Sequence, residues 1–296
     1  MFPLRPRSRS CVSFLHTVYN NNNTRITGLT RLASFRPHIQ SVNNTRTMSS
    51  SSSSRPIELE KIKTLLNYSA CDVSDALLKL QKISPGTTAR AGHLADFVPF
   101  SPTSNKRKII APASTFKFIP KDQPLPFGMD LDPKIRIEDH GFPPGTHWVD
   151  HAEPGTIVVV EQPTGQYCAA VGGIMATRMK VLGVQGVVVD GRIRDLGEIR
   201  ELELPVWAHS TSTVGTGAES KPATRNLPIC VSGIEVRPGD IIFCDPVEGA
   251  VAIPRELLDQ VIELMPKLVD MDDKVKEAVA GGESVFEAFK RFRTKI

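Results

Sequence analysis

A glycine pair followed by a helical stretch, an apolar strand and a charged turn constrains this chain more than any other feature of its sequence. The glycines at 172–173 precede a helical pattern over residues 174–182, and the valine run at 187–189 is typical of a strand buried on both faces. Helices and strands that alternate in this way predict a mixed α/β domain. Arg194 and Asp195 follow the valine run, so we expect them at the carboxyl end of a buried strand, where α/β folds bind ligands.

The glycine turn itself predicts a binding site for an anion. The first N–H groups of a helix have no partner within the helix and carry a partial positive charge. The glycine pair Gly172 and Gly173, followed by Ile174, would let an anion approach these groups closely.

Three charged side chains after the valine run supply one cation and two carboxylates. Arg194 offers a planar pair of donors to a carboxylate, and Asp195 and Glu198 offer the oxygen ligands that Mg²⁺ takes. Glu198 lies three residues after Asp195, so a helical turn would place both on one face. Two other interpretations stay open: Arg194 and Asp195 could form a surface ion pair worth under about 1 kcal/mol, and Glu198 could be a solvated acid favoured by a helix dipole.

The rest of the chain predicts further helices and strands around this motif. Helices are expected at 57–66 and 73–80, the second capped by Asp72 or Ser74, and a helical tail runs from Pro254 to about Arg293 with a break at 281–282. Strands are expected at 156–161, 186–190, 204–209, 229–231, 240–244 and 250–253, and at 109–119 with an interruption near Pro112. Residues 120–150 contain six prolines and predict a long irregular excursion.

The basic charge of the chain is confined to its amino-terminal extension. The formal net charge is +4, but residues 1–55 carry eight arginines and no lysine or acidic residue, which leaves 28 basic and 32 acidic residues and a net charge of −4 in the remainder. That remainder lacks the basic footprint of a nucleic-acid-binding protein. No apolar run approaches the roughly 18 residues that a membrane-spanning helix needs. We therefore predict no nucleic-acid partner and no association with a membrane.

The extension has the composition of a mitochondrial transit peptide. It is rich in Arg, Ser, Thr and Asn, with short apolar groups between them. We therefore predict a targeting segment at 1–55, a folded domain at 56–296 and a mitochondrial location. The alternatives are a disordered tail and a translation start at Met48, which would leave the protein cytoplasmic.

Several other classes of site find no support in the sequence. The five cysteines are scattered without a CxxC pair or a metal-ligand spacing, which predicts reduced, mostly buried thiols. Neither GxGxxG nor GxxxxGK[ST] is present, so no nucleotide cofactor is expected. His140, His147 and His151 lack a zinc-like pairing and are predicted to be loop residues.

The order of the pieces around the glycine turn resembles a known family. Gly173, twenty further residues, Arg194-Asp195, two residues and Glu198 are similar to the signature of the metal-dependent 4-hydroxy-4-methyl-2-oxoglutarate aldolases. These aldolases share a fold with the RNase E activity regulator A (RraA-like) proteins. The resemblance covers roughly residues 57–265 and is closest to the fungal form of the family. It includes Val73-Ser74-Asp75-Ala76-Leu77 and Arg237-Pro238-Gly239-Asp240-Ile241-Ile242.

The resemblance implies a fold, an assembly and roles for the site residues. It implies a compact swivelling β/β/α domain with a C-terminal helical tail, assembled as a homotrimer or hexamer with the active cleft at a subunit boundary. It makes Asp195 the ligand of a divalent metal, Mg²⁺ or Mn²⁺, and makes Arg194 the partner of the substrate carboxylate and keto oxygen. The substrate contacts that it implies, mainly through backbone N–H groups, are Gly172, Gly173, Ile174 and Met175.

Four positions near the motif depart from the family pattern or have a role that needs comment. Relatives with a different metal arrangement carry Asp where this chain has Gly173, so we expect one carboxylate fewer near the cation. An acid at the position of Glu198 distinguishes the catalytic members from the regulators. Asp190 is predicted to orient the turn, with direct metal contact as the alternative. His209 stands where many relatives have Arg, and it is either a plain strand-end residue or a pocket residue that alters substrate preference.

These expectations predict a metal-dependent pyruvate aldolase that acts on small 2-oxo acids and also decarboxylates oxaloacetate. Arg194, Asp195 and Glu198 are its predicted catalytic residues. The competing hypothesis is a non-catalytic ring that binds a protein partner, as the regulator relatives do. A third is a family member that acts on an unrelated 2-oxo acid.

Overall fold

Helices and strands alternate through the part of the chain that the structure, a computed structural model, describes: residues 57–82, 88–101, 107–126 and 137–293. The predicted targeting segment, Cys11 and the middle of the proline-rich excursion lie outside the described residues. Every described residue belongs to one unit, Ser50–Ile296.

The described residues form six α-helices and twelve β-strands. The helices are α1 (Leu59–Leu66), α2 (Ala70–Leu80), α3 (Gly173–Leu182), α4 (Leu196–Glu201), α5 (Leu258–Ala280) and α6 (Val285–Phe292). The strands are β1 (His93–Leu94), β2 (Val98–Pro99), β3 (Ile109–Pro120), β4 (Ile157–Glu161), β5 (Ala169–Val171), β6 (Gly186–Ile193), β7 (Val206–Thr211), β8 (Ser220–Arg225), β9 (Ile229–Val231), β10 (Ile234–Val236), β11 (Ile241–Asp245) and β12 (Gly249–Ile253).

The long strand β3 joins a group of antiparallel strands and a group of parallel strands into one sheet, with the order β1-β12-β11-β3-β4-β6-β7-β2. Its first residues pair antiparallel with β11, and from Ala113 onward it pairs parallel with β4. β4, β6 and β7 continue as parallel neighbours, so their carboxyl ends meet at one edge. The prediction that β3 is interrupted near Pro112 is wrong. The strand is continuous because Pro112 lies where it changes partners, a position at which a missing N–H is tolerated.

Both faces of the parallel strands are buried, as the valine run predicts. Val187 and Val189 of β6 pack in one cluster with Met179 of α3 and Ile199 of α4. Val188 lies in a different cluster, which residues of β9, β10, β11 and β12 complete. Successive side chains of a strand point to opposite faces, so one run of valines contributes to both cores.

A further core holds α1, α2 and α5 against β11 and β12. Leu77, Phe243 and Val261 are fully buried in it. α2 begins at Ala70, behind a Ser69 hydroxyl that accepts the Asp72 N–H, while the Asp72 carboxylate accepts the Ser69 N–H. The prediction of Asp72 or Ser74 as the cap is therefore wrong, because this reciprocal pair with Ser69 satisfies two otherwise free donors.

The prediction of a mixed α/β domain with a C-terminal helical tail is confirmed. The tail consists of α5 and α6, and α5 ends at Gly281 as its C-cap. The sequence does not predict β1, β2, β5 or β8, because such short segments become strands only through partners elsewhere in the chain. It also does not predict β10, a three-residue strand that pairs with the neighbouring β9. Within the described residues, no helix combines the length and apolar character that would cross a bilayer.

Gly92 allows a close approach of β12 and α2, and it provides a test of this packing. Its φ is +70°, and an added Cβ would collide with the Ala252 carbonyl oxygen and lie 2.9 Å from Leu77 Cδ1. We expect Gly92→Ala to lower the free energy of unfolding by about 2 kcal/mol or more, because backbone strain and overpacking add. The measurement is urea denaturation of the purified protein.

The matched control is Gly155→Ala. Gly155 has a φ of +74°, but an added Cβ would meet nothing within 4 Å. The free energy of unfolding of Gly155→Ala should fall by only about 1 kcal/mol, because backbone strain is its sole cost. Equal losses in the two variants would contradict the packing described for Gly92.

Candidate active site

The candidate site forms where β6 ends beside β5. The Arg194 N–H donates to the Val171 carbonyl at 3.0 Å, so the turn after β6 lies next to the last residue of β5. Val171 leads directly through Gly172 into α3. Sheet pairing therefore brings the charged turn to the amino terminus of α3, although the two are more than twenty residues apart in sequence.

Asp195 caps α3 from outside that helix. Its Oδ2 accepts the Gly173 N–H at 3.0 Å, and α3 has no side-chain cap from its own N-cap residue, Gly172. Asp195 has φ 60° and ψ 45°, a left-handed conformation that aspartate tolerates better than most residues. The Gly173 N–H is thus satisfied by a carboxylate, while Ile174 and Met175 have no N–H partner within the helix.

Arg194 and Asp195 form an ion pair that leaves most of their hydrogen-bonding capacity free. Arg194 Nε lies 3.4 Å from Asp195 Oδ2, and the two side chains are 41% and 36% exposed. Solvent screens a pair this exposed, so it contributes little to stability. The pair is therefore better explained by the position of both side chains at a cavity than by a stabilising role.

The two glycines leave the space that the charged side chains occupy. An added Cβ on Gly172 would lie 2.7 Å from Asp195 Oδ2 and 3.0 Å from Arg194 Nε, and one on Gly173 would collide with Glu198 Oε2. The carboxylates of Asp195 and Glu198 thus both lie over the first residues of α3. The sequence predicts an anion-binding role for these glycines, but not that each leaves room for a particular acid.

A cavity of ≈ 360 Å³ opens at this position. Of the predicted site residues, it is lined by Gly172, Ile174, Met175, Arg194 and Asp195. Gly173 and Glu198 are not on the lining, but they lie beside the cavity, with the Glu198 carboxylate over Gly173. Its size suits a ligand of about the dimensions of a small organic acid.

Five lining residues with polar or aromatic side chains were not predicted from the sequence: His147, Trp148, Thr216, Ser220 and Lys221. His147, expected to be a plain loop residue, caps the short 3₁₀ turn Trp148–His151 at the cavity wall. Lys221 arrives on β8, which pairs with the end of β3. No local motif signals these residues: Ser220 and Lys221 reach the cavity through the pairing of β8 with β3, and the other three lie at or in 3₁₀ turns.

Asp190 and His209 lie together, outside the lining of this cavity. His209 Nε2 is 3.3 Å from Asp190 Oδ1, and Asp190 Oδ2 accepts the Ser232 N–H at 3.1 Å. Burial raises the pKa of Asp190 above its usual range, against these hydrogen bonds. Asp190 therefore holds the β9–β10 turn through Ser232, a different turn from the one after β6 that it was expected to orient. His209 lines a separate depression of ≈ 640 Å³.

Across the described ranges, no three His, Cys, Asp or Glu side chains lie close enough together to form a metal-binding group. Asp195 and Glu198 are the carboxylates at the amino terminus of α3. Any metal at this position would therefore take few of its ligands from the described residues.

The fold and this site define a class: a mixed α/β protein that presents a guanidinium and carboxylates at the start of a helix, beside a small cavity. The chain belongs to the RraA-like family, described as Aldolase/RraA, whose sequence profile matches residues 70–251.

Individual relatives support the same family. The chain is 24% identical to the protein DlpA of Legionella pneumophila over 228 residues, which cover 77% of this chain and 33% of that protein. It is 28% identical over 138 residues to a protein of Halalkalibacterium halodurans provisionally named a 4-hydroxy-4-methyl-2-oxoglutarate aldolase, covering 47% of this chain and 65% of that one. The chain thus spans about a third of the length of the first relative and just under two thirds of the second.

The fold also matches a solved structure of the family. The structure of Streptomyces coelicolor RraAS2, titled an unusual member of the RNase ES inhibitor RraA protein family, superposes with a TM-score of 0.56 at 23% identity. The match covers 77% of this chain and 99% of that one. At this identity it supports the fold alone.

The overlap between Gly173 and Glu198 gives a test of the site geometry that needs no assay of function. Alanine favours a helix over glycine by up to about 1 kcal/mol, and in a protein that already carries Glu198→Ala the methyl group added by Gly173→Ala would meet only the Cβ at position 198, at 3.1 Å, of the three Glu198 atoms nearest to it. In the presence of Glu198 the same substitution should give a lower free energy of unfolding than it does in the Glu198→Ala background, because the new methyl group displaces the carboxylate.

The measurement is the free energy of unfolding of the wild type, the two single variants and the double variant. We expect a coupling energy of about 0.5 kcal/mol or more between the two positions, as for residues in contact. Additive effects would show that Glu198 does not lie over Gly173.

Proposed function

We propose that the protein is a divalent-metal-dependent carbon–carbon lyase of the aldolase type. Its substrate is a 4-hydroxy-2-oxo acid of the 4-hydroxy-4-methyl-2-oxoglutarate type, which it cleaves to pyruvate and a second 2-oxo acid. Oxaloacetate decarboxylation is a related activity of the same site. The observation that carries the proposal is the meeting of Arg194, Asp195 and the amino terminus of α3 at one small cavity.

The family and its named members support the reaction class. The Halalkalibacterium relative carries an aldolase name, and the family description pairs aldolases with RraA. The site chemistry points the same way, because a carboxylate next to a keto group needs a planar cation and free N–H donors, and the cavity offers both.

The donor set fits a divalent cation of the magnesium type. Mg²⁺ usually binds one or two carboxylates and completes its coordination with water and substrate oxygens. Asp195 would hold it, and Glu198 stands nearby over Gly173. Such a cation supplies positive charge beside the oxygen that becomes negative during cleavage.

Arg194 and the start of α3 bind and orient the substrate. The N–H groups of Ile174 and Met175 receive the C1 carboxylate, and Arg194 donates to that carboxylate and to the C2 keto oxygen. When the C3–C4 bond breaks, its electrons move to the C2 oxygen and give the enolate of pyruvate. Arg194 is already placed to stabilise the new negative charge, which lowers the barrier without reorganisation.

Glu198 is the residue proposed to handle the proton. In aldol cleavage the 4-hydroxyl group loses its proton as its oxygen becomes a carbonyl, and the enolate carbon C3 later gains one. An ionised Glu198 can accept the first proton and return it, so the overall count balances. Decarboxylation of oxaloacetate releases CO₂ and has no hydroxyl proton to remove, so it needs Glu198 less.

The direct experiment is an assay of the purified protein with oxaloacetate and with 4-hydroxy-4-methyl-2-oxoglutarate. Pyruvate formation is followed with and without a chelator, and then with Mg²⁺ or Mn²⁺ added back. We expect both reactions, and both should stop with the chelator and resume with the metal. Absence of turnover under every condition would favour a non-catalytic binding role.

Asp195→Asn tests the charged site at nearly constant shape. Asparagine still accepts the Gly173 N–H and tolerates the left-handed backbone, so the free energy of unfolding should change by less than about 1 kcal/mol. Pyruvate formation should fall by about a thousandfold, because the negative charge that would hold the cation is lost. Steady-state kinetics and urea denaturation measure the two effects.

The matched control is Asp259→Asn, which neutralises an exposed carboxylate paired with Lys61 at 2.7 Å. It should leave the kinetics unchanged. Wild-type turnover in Asp195→Asn would remove Asp195 from the proposed chemistry.

Glu198→Ala separates the proposed proton transfer from general support of the site. Aldol cleavage should fall by about a hundredfold or more, in the range for loss of a general base, while oxaloacetate decarboxylation falls much less. Both rates are measured on the same preparation. Equal losses in the two reactions would mean that Glu198 supports the site or the fold, and no loss in either would make it a solvated acid.

A further inference from the structure

Lys221 is a second cation on the cavity that contains Arg194. It lies on β8, where it is paired with Ile119 of β3, and it is half-buried on the cavity lining. No sequence motif contains it, and it has no part in the proposed cleavage reaction. Arg194 and Asp195 approach the cavity from the end of β6, so Lys221 belongs to a different wall.

Among the described residues, Lys221 has no acidic partner, unlike Lys117 and Lys108. Lys117 on β3 pairs with Glu161 at 2.8 Å, and Lys108 lies 3.8 Å from Asp245. No carboxylate among the described residues makes a comparable ion pair with Lys221. An anionic ligand in the cavity would therefore give this ammonium group a partner of opposite charge.

The acid next to Lys221 in sequence is directed elsewhere. The Glu219 carboxylate accepts the N–H groups of Tyr167 and Cys168, each at 2.7 Å. Those backbone hydrogen bonds keep the pKa of Glu219 below its usual range, so it stays ionised and committed to that loop. Ser220 is hydrogen-bonded to Gln166. The hydrogen bonds of Glu219 and Ser220 thus leave Lys221 available to a ligand in the cavity.

The charges on the cavity lining favour a ligand with two negative groups. Arg194 and Lys221 are cationic, and Asp195 is the single acid among the described residues of the lining, with Glu198 beside it. In the proposed function, Arg194 and the start of α3 hold the carboxylate next to the keto group. A monocarboxylate would leave Lys221 without a partner, whereas a dicarboxylate would satisfy both cations.

We propose that Lys221 binds the distal carboxylate of the substrate and makes the site selective for 2-oxo dicarboxylic acids over monocarboxylic acids. This inference rests on the proposed function for the position of the first carboxylate. A hydrogen bond to a charged group adds about 1.5–3 kcal/mol, which corresponds to roughly 10–100-fold in affinity.

The experiment compares two ligands of equal chain length that differ at the distal end. 2-Oxoglutarate has a distal carboxylate, 2-oxopentanoate has a methyl group there, and neither can undergo aldol cleavage. Their dissociation constants are measured by calorimetry with Mg²⁺ present, for the wild type, Lys221→Met and Lys221→Arg. The control is Lys121→Met, which removes an exposed charge next to β8 but outside the cavity lining.

We expect the wild type to prefer 2-oxoglutarate, and Lys221→Met to lose that preference by 10–100-fold while its affinity for 2-oxopentanoate changes by less than about threefold. Lys221→Arg should keep most of the preference, because it keeps the charge, and Lys121→Met should keep all of it. A thermal unfolding curve for each variant excludes a loss caused by misfolding. An unchanged preference in Lys221→Met would overturn the inference.

The same variants are then assayed for cleavage of 4-hydroxy-4-methyl-2-oxoglutarate and of the monocarboxylate 4-hydroxy-2-oxopentanoate. Binding selectivity that depends on Lys221 without cleavage of either would support the inference and reject the proposed function. Cleavage with unchanged selectivity would do the reverse. Loss of both cleavage reactions in Lys221→Met and Lys221→Arg, with pyruvate trapped on the wild type by borohydride, would make Lys221 a Schiff-base residue and overturn the selectivity role.

Discussion

The hydrogen bond from the Gly173 N–H to the Asp195 carboxylate joins the two halves of the site. It requires β5 and β6 to be neighbours, since only their pairing brings the turn after β6 to the start of α3. It also requires Asp195 to take a left-handed backbone conformation, which turns the chain into α4 and brings Glu198 over Gly173. Cavity, ion pair and helix terminus all depend on this contact, so a shift in the pairing of β5 would disperse them.

The hydrophobic core holds that contact in position. The valines of β6 are buried on both faces, against α3 and α4 on one side and against the β9–β12 region on the other. Such a strand cannot slip by one residue without exchanging its two faces, so its carboxyl end is held in register. The charged residues after it can therefore remain partly exposed without losing their geometry. Rigid support beneath a polar, accessible turn is what ligand binding at such an edge requires.

The cavity also shows how charge is divided between local and distant residues. Arg194 and Asp195 are adjacent in sequence and partly neutralise each other. Lys221 comes from another strand and, among the described residues, has no carboxylate that does the same for it. A ligand that approaches thus meets two cations from segments that share no motif, together with the carboxylates of Asp195 and Glu198 at the start of α3. Mitochondrial location and a homotrimeric or hexameric assembly stay predictions from the sequence.

The sequence by itself determined the mixed α/β class, the family and the glycine–arginine–aspartate motif, because hydrophobic periodicity, turn glycines and the spacing of charged residues are local properties of the chain. Most of the helices and longer strands could be predicted for the same reason. The continuity of β3 through Pro112 and the short strands could not, because pairing and packing outweigh local preference at those places. The cap at Ser69 is a local Ser-x-x-Asp pattern that the helix prediction did not use. Only the tertiary structure decided that Glu198 lies over Gly173 and that His147 and Lys221 face the cavity. The position of Lys221 depends on β3 pairing with β8 and that of Glu198 on β5 pairing with β6, contacts between segments far apart in sequence that no local pattern encodes.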